Sequence, residues 1–223
     1  MLRAELSYSD LDSVSRPTTD DSLLVARLQA NEDAAYDELV RTHHSGIYHA
    51  AYRMLRDSGE AADVTQDVFL KVFRHINGFR GESSLRTWIF RITFSEILNR
   101  VRWSRRRYLH RTISIEEESQ DVPEGHAPLQ LADAGATPEQ ALNQKEREEA
   151  FQHALGRLSE EHRSVAVLRE IQGFSYAEIA TILGISIGTV KSRLARARAE
   201  LKKHLMRFLS VQGIAQWDAS GDR

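Results

Sequence analysis

Apolar residues recur every three or four positions along most of the chain, which is the spacing of one face of an α-helix. No stretch competes with this pattern by alternating apolar and polar residues as a half-buried strand does. The sequence therefore predicts an all-α fold. In the first half of the chain it predicts helices over residues 23–28, 31–56, 60–76 and 84 to about 109.

Turn-forming residues separate these helices. Asp57, Ser58 and Gly59 are expected to break the chain after the second helix, and residues 77–84 form a loop with two glycines. In the second half, Pro138 fits the first turn of a helix that continues to about residue 158. A helix capped at residue 159 and ended by a glycine at 173 follows it.

The stretch over residues 175–205 has the signals of two short helices joined by a tight turn. Ser175 and Glu178 have the spacing of a capping box, which satisfies free amides at a helix start. Gly184 permits the backbone geometry of a sharp turn, and Ser186 can cap the second helix. This arrangement is typical of a helix-turn-helix that reads DNA.

The second of these helices has two unlike sides. Its apolar stripe, which must face a core, is formed by Val190, Leu194, Ala197, Leu201 and Leu205. The opposite side is formed by Gly188, Ser192, Ala195, Arg196, Ala199 and Lys203. Small residues let the backbone approach base edges, and Arg196 is long enough to donate two hydrogen bonds to a guanine. Lys191 and Arg193 flank this side, where they suit phosphates.

The charged residues are distributed unevenly along the chain, which indicates a linker between two domains. Residues 116–139 hold seven acids and no Lys or Arg, and residues 112–136 lack helical spacing. We therefore expect a flexible acidic linker at 112–136 between helical domains at 20–111 and 137–210, with a polar arm at 1–19 and a tail at 211–223. Because residues 100–111 hold six arginines, the net charge of −2 says little about DNA binding.

Several chemistries are excluded or disfavoured by the residues present. Cysteine is absent, which excludes disulfides and thiolate zinc sites. His43, His44 and His49 suggest a metal site, because His44 and His49 lie near one helical face. No third ligand has a suitable spacing to these two, so we expect no metal. No phosphate-binding glycine loop or catalytic pair appears, so we expect neither an enzyme nor a cofactor or small-molecule substrate. The absence of a signal peptide or spanning segment suggests a cytoplasmic protein.

Three motifs make the chain resemble a known family. They are DVTQDVFLKVF at 63–73, FRGESSLRTWIFRI at 79–92 and LREIQGFSYAEIATILGISIGTVKSRLARAR at 168–198. In these motifs the chain is similar to bacterial RNA polymerase sigma factors of the extracytoplasmic-function (ECF) type, in the sigma-70 family. The resemblance implies a region 2 helical bundle, a region 4 helix-turn-helix and a function in promoter-specific transcription initiation, including stress responses.

The resemblance also implies roles for individual residues. The polymerase-binding positions of the family match Asp63, Gln66, Asp67 and Phe69. The positions that bind and melt the −10 element match Phe79, Arg80, Ser83, Ser84, Ser95, Asn99, Arg100, Arg102 and Trp103. Independently of the family, an aromatic residue, glycines and hydroxyls beside an arginine-rich helix suit an unstacked base. Ser95 stands where many members have Asn.

In the second domain the resemblance assigns the −35 element to the helix-turn-helix. Its contact positions match Lys191, Ser192, Arg193, Ala195 and Arg196. The implied partners are core RNA polymerase, promoter DNA and an anti-sigma factor, which in some members is membrane-anchored. A repressor or activator that uses the same helix-turn-helix without polymerase is the alternative function. A pure protein-interaction module is disfavoured, because two separate helices are strongly basic.

Trp88 shares the apolar stripe of its helix with Leu85 and Ile92, which favours a place in the core over base stacking. Trp103 lies one turn from Asn99 among arginines, where an interfacial role and a merely solvated position are equally compatible with the sequence.

Overall fold

The computed structural model describes the backbone of residues 19–112 and 138–211, and the side chains of residues 21–105 and 147–207. Over these ranges the chain forms eight α-helices and no strand, as the apolar spacing predicts. None of the described helices is long and apolar enough to cross a membrane. The helices are α1 (Thr19–Gln29), α2 (Asp33–Leu55), α3 (Ser58–His75), α4 (Leu85–Thr112), α5 (Pro138–Arg157), α6 (Glu160–Ala166), α7 (Tyr176–Leu183) and α8 (Ile187–Val211).

Helices α1 to α4 form the N-terminal bundle, whose core is made of the apolar faces of all four. Helix α2 ends where Arg56 takes a left-handed conformation and its N–H donates to the Tyr52 carbonyl at 2.8 Å. Asp57 then accepts a hydrogen bond from the Glu60 amide at 2.8 Å and caps α3. The expected break over 57–59 is therefore wrong at Ser58 and Gly59, which already belong to α3.

Helices α5 to α8 form the C-terminal bundle. The Ser159 hydroxyl accepts from the His162 amide at 3.2 Å and caps α6. The chain continues from α6 into one π-helical turn at Val167–Ile171, an irregularity that helical spacing alone did not predict. Gly173 then adopts φ +74°, as expected of a helix-ending glycine. The predicted linker, the polar arm and the tail lie outside the described residues, apart from their boundary positions.

The turn between α7 and α8 follows the sequence signals closely. Ser175 and Glu178 form both hydrogen bonds of a capping box, at 3.2 and 2.9 Å. Gly184 ends α7 in the left-handed region at φ +67°, and the Ser186 hydroxyl accepts from the Thr189 amide at 3.1 Å. These local interactions fix the angle at which α8 leaves α7.

Gly184→Ala is expected to destabilise the protein by about 1 kcal/mol, because a side chain in the left-handed region is strained. No neighbouring atom lies within 4 Å of a Cβ built there, so backbone strain is the only source of the loss. The free energy of unfolding in urea measures it. Gly78→Ala is the matched control, since Gly78 also has open space but does not have a positive φ. An equal loss in both variants would contradict the explanation.

The two bundles pack against each other, which the sequence did not predict. The Phe90 ring of α4 meets the Phe174 ring edge to face, with centroids 4.9 Å apart, and both side chains are buried. The Arg86 guanidinium lies 4.0 Å from the Phe174 ring centroid and donates from Nη2 to the Gln172 carbonyl at 2.6 Å. Burial lowers the pKa of Arg86, and the nearby Glu178 carboxylate opposes that shift.

Polar contacts extend this seam between the bundles. The buried Thr87 hydroxyl donates to Glu178 Oε1 at 3.2 Å, so the carboxylate that caps α7 also binds α4. Gln172 Nε2 donates to the Gly46 carbonyl at 3.2 Å, and Arg163 Nη1 donates to the Met54 carbonyl at 2.8 Å. Each of these bonds joins an N-terminal helix to the C-terminal bundle. The described helices of the two bundles therefore pack as one unit.

Candidate nucleic-acid interface

The helix-turn-helix presents one exposed face on α8. The apolar stripe is turned inward, with Val190, Leu194 and Ala197 buried. The reading face, as we call the opposite side, consists of six residues that are all exposed: Gly188, Ser192, Ala195, Arg196, Ala199 and Lys203. The predicted division of this helix is therefore confirmed. The reading face can approach a groove without displacing any core residue.

The cations beside the reading face differ in what already binds them. Arg193 Nη2 lies 2.8 Å from Glu161 Oε2, and only a quarter of the Arg193 side chain is exposed. Arg198 forms an ion pair with Glu170 at 2.7 Å. Lys191 is exposed, with its Nζ 5.8 Å from the Tyr176 ring centroid. Arg196 is exposed at the middle of the reading face.

The loop before α4 brings an aromatic pair to the start of that helix. The Phe79 ring packs edge to face on Trp88, with centroids 5.4 Å apart, and both side chains are half-buried. Trp88 thus packs against the core without being enclosed by it. Gly81 adopts φ +71° in this loop, and Arg80 is exposed.

Two serines of the loop have structural partners. Ser84 is buried, and its hydroxyl accepts from the Thr87 amide at 3.1 Å, so it caps α4. Ser83 is half-buried and donates to the Ser84 carbonyl at 3.3 Å. Of the loop residues assigned to the −10 element, Arg80 is exposed and Phe79 is half-buried. The DNA contacts assigned to Ser83 and Ser84 stay predictions.

Further along α4, one strip of side chains is open to solvent. This α4 strip consists of Ser95, Asn99, Arg102 and Trp103, which recur at helical spacing and are all exposed. Arg102 Nη1 donates to Asn99 Oδ1 at 3.3 Å, and 45% of the Trp103 side chain remains exposed. A large exposed aromatic among arginines suits base stacking beside phosphate contacts.

The α3 residues assigned to polymerase binding are not equally accessible. Asp63 and Gln66 are exposed on the side of α3 away from the core. Asp67 is half-exposed and forms an ion pair with Arg100 of α4, Oδ2 to Nη2, at 3.1 Å. Phe69 is buried, with its ring 6.3 Å from that of His44, so its assignment to a partner surface stays a prediction.

Sequence reasoning missed the second carboxylate at this ion pair. Glu60 Oε2 lies 2.9 Å from Arg100 Nη1, so Arg100 is bound on both of its terminal nitrogens. Glu60 and Asp67 are seven positions apart and therefore share a face of α3. That spacing was visible in the sequence, but nothing local indicated which cation on α4 it would meet.

His43, His44 and His49, the histidines considered for a metal, all lie on α2. Among the residues that the structure describes, no three His, Cys, Asp or Glu side chains are grouped to hold an ion. His44 instead stacks on Tyr48, with ring centroids 6.4 Å apart. Burial lowers the pKa of His43, and the neighbouring Arg86 lowers it further. Burial also lowers the pKa of His49 and of His153, again with arginines nearby.

The lowered pKa values of His43, His49 and His153 predict that acid destabilises the protein. Their folded pKa values lie below the unfolded value of about 6.5, so the unfolded chain binds protons more readily. Their contribution is present above pH of about 6.5 and is lost as the pH falls through the folded pKa values. The urea midpoint is expected to be lower at pH of about 5.5 than at about 7.5. His43→Gln should reduce that difference, whereas the exposed His75 is the control for the same change.

Two stretches of the chain match family models. Residues 39–122 match the family model described as Sigma-70 region 2, and residues 148–201 match the model described as Sigma-70, region 4. The first range includes α3, the loop and the α4 strip. The second includes α7 and the part of α8 up to residue 201.

Full-length relatives and solved structures agree with the family models. The chain is 33% identical over 189 residues to the RNA polymerase sigma-H factor of Pseudomonas aeruginosa, covering 85% of this chain and 95% of that protein. It is 36% identical over 185 residues to the ECF RNA polymerase sigma factor SigM of Mycobacterium tuberculosis, covering 83% and 84%.

Two solved structures have a similar fold. The sigma factor RpoE of Bartonella quintana, solved in complex with the anti-sigma factor NepR, has a TM-score of 0.58 and 27% identity, covering 77% of this chain and 96% of that one. CnrH, solved in complex with the cytosolic domain of CnrY, has a TM-score of 0.58 and 25% identity, covering 84% and 97%. With both regions present and full-length relatives matched, the chain belongs to the sigma-70 family of RNA polymerase sigma factors, in its ECF group.

Proposed function

We propose that this sigma factor docks on core RNA polymerase through the exposed side of α3 and reads a promoter with two separate surfaces. The α4 strip, Phe79 and Arg80 bind the −10 element, and the reading face of α8 binds the −35 element. Asp63 and Gln66 provide the polar part of the docking surface. The protein contributes binding energy and has no catalytic step of its own.

The observation that supports this proposal is the presence of two exposed surfaces of different chemistry on one chain, each suited to a different form of nucleic acid. The reading face consists of small residues together with Arg196 and Lys203, which suits base edges in a duplex groove. The α4 strip is aromatic and basic, which suits unstacked bases of a single strand. A repressor has use for the first surface only. A protein that opens a promoter needs both.

Promoter opening by such a protein requires no covalent chemistry. Unstacking and unpairing a base costs a few kcal/mol. Stacking of a base on an aromatic side chain contributes roughly 1–3 kcal/mol, and arginines near the strand add phosphate contacts. The exposed Trp103 and the half-buried Phe79 provide such stacking groups. We propose that these contacts stabilise the open strand while polymerase holds the duplex on either side.

We also propose that an anti-sigma factor regulates this protein. The two structures compared above were each solved with a bound partner, the anti-sigma factor NepR in one and the cytosolic domain of CnrY in the other. A partner of this kind would cover the α3 docking surface or hold the two bundles together. Release of the partner would then make the sigma factor available to polymerase.

Transcription of fragmented genomic DNA by purified core RNA polymerase, with and without this protein, tests the proposal. Sequencing of transcript 5′ ends should reveal start sites that depend on the protein and share two boxes at a fixed spacing. The fixed spacing follows because both surfaces belong to one chain. DNA binding without any new start site would favour the autonomous repressor or activator.

A further inference from the structure

The ion pairs of Arg100 connect the two candidate surfaces of the N-terminal bundle. Arg100 is on α4, next to Asn99 of the α4 strip, and its guanidinium reaches back to α3. There Nη1 meets Glu60 at 2.9 Å and Nη2 meets Asp67 at 3.1 Å. A residue assigned to DNA is therefore bound to a residue assigned to polymerase.

We propose that Glu60 and Asp67 hold Arg100 away from DNA in the free protein, and that polymerase docking on Asp67 releases it to bind a promoter phosphate. The release step rests on the proposed function, because it requires Asp67 to contact polymerase. The sequestration of Arg100 does not, since it depends on the described contacts alone.

The charges around Arg100 explain why it cannot attract a phosphate in this state. Two carboxylates face one guanidinium, so the group of three has a net charge of −1. Both terminal nitrogens already donate to carboxylates, and only 29% of the side chain is exposed. A phosphate approaching this group meets repulsion from the surplus acid. Arg100 adds to DNA affinity only after one carboxylate has another partner.

The exchange of partners costs little, because the ion pairs lie near the surface. The Asp67 and Glu60 side chains are 47% and 38% exposed. Ion pairs in such positions are weak and are screened by salt. A cationic side chain on polymerase can therefore compete for Asp67 without disturbing the core. Val64 and Val68, the neighbouring apolar residues of α3, are buried.

The coupling must act in both directions. If polymerase binding frees Arg100 for DNA, then DNA binding frees Asp67 for polymerase by the same factor. The sigma factor would thus favour promoters when it is on polymerase and avoid DNA when it is alone. The ion pair confers this preference without a large rearrangement.

Binding of the free full-length protein to a labelled single-stranded oligonucleotide of mixed sequence tests the sequestration. Fluorescence anisotropy at increasing KCl gives the slope of log affinity against log salt. In the Glu60→Gln and Asp67→Asn double variant, Arg100 should form one contact with a phosphate of the oligonucleotide, which steepens the slope by about 0.7. Adding Arg100→Ala to the double variant should return the slope to the wild-type value.

Two comparisons separate this mechanism from a general change in charge. Glu96→Gln breaks the other ion pair between α3 and α4, in which Glu96 meets Lys71 at 2.6 Å, and leaves Arg100 untouched. Glu96→Gln should not produce a steeper salt slope that is lost when Arg100→Ala is added. No steepening in the double variant, or a steepening that survives Arg100→Ala, would overturn the sequestration.

The release step is tested by repeating the titration with core polymerase present. Arg100→Ala should then weaken binding of the oligonucleotide about fivefold at 0.1 M salt. This factor is the contribution of one phosphate contact at 0.1 M salt when its contribution at 1 M salt is taken as zero. Arg100→Ala could leave oligonucleotide binding unchanged when core polymerase is present, while the double variant shows the expected steeper slope when polymerase is absent. In that case the release step is wrong and the sequestration stands. Start-site mapping with the wild-type protein tests the proposed function separately.

Discussion

An Arg86→Ala variant is expected to separate the two bundles. Arg86 joins them by a charged hydrogen bond of 2.6 Å to the Gln172 carbonyl and by its position over the Phe174 ring. A hydrogen bond from a charged group contributes about 1.5–3 kcal/mol, and a partly desolvated cation–π contact about 1 kcal/mol. Their loss, of about 3 kcal/mol, would lower the ratio of packed to separated molecules about a hundredfold.

Distances between paired labels measure this separation directly. Because the chain has no cysteine, Asp37→Cys and Lys202→Cys place one label on an exposed site of each bundle. Arg86→Ala should lengthen and broaden the distance distribution. Arg91→Ala removes an exposed arginine from the same helix and should leave the distribution as it is. An unchanged distribution in Arg86→Ala would show that Arg86 does not hold the seam.

An Arg196→Ala variant is expected to lose discrimination at one base pair of the −35 element. A two-bond contact between arginine and guanine contributes about 1–3 kcal/mol of discrimination, which is roughly a 5- to 150-fold preference. Arg196 lies exposed at the middle of the reading face, beside the small side chain of Ala195. Transcription from a library with a randomised −35 box should show the preference disappear at a single position.

Lys191 provides the contrasting variant for this experiment. A residue that contacts phosphate carries no sequence information. Lys191→Ala should therefore weaken transcription from all members of the library alike, and should reduce the salt slope of promoter binding by about one. If Arg196→Ala weakens all sequences equally, or leaves every preference intact, Arg196 does not read a base.

Local features of the fold were predictable from the sequence because neighbouring residues determine them. The capping box of Ser175 and Glu178, the left-handed Gly184 and the caps at Ser84 and Ser159 all follow from interactions within a few positions. The two sides of α8 also follow from spacing alone. The boundaries at Ser58 and Gly59 were wrong, because small polar residues suit both a loop and a first helical turn.

Contacts between distant parts of the chain could not be predicted in this way. Phe90 and Phe174 read as ordinary core residues of separate domains, and nothing in their spacing indicates that they face each other. Glu178 was identified as a cap, but its bond to Thr87 depends on the packing of α7 on α4. The pairing of Arg100 with Glu60 and Asp67 is equally non-local. The candidate surfaces were thus found from sequence, and the connections between them from structure.

Footprinting of unpaired thymines with permanganate tests the central claim, that this protein opens promoters only as a subunit of polymerase. A promoter fragment identified by start-site mapping would be probed with the protein alone, with core polymerase alone and with both. We predict reactive thymines in the −10 element only when both are present, and weak binding of duplex DNA by the protein alone at moderate salt. Tight duplex binding by the isolated protein, or no opening with both, would contradict the account.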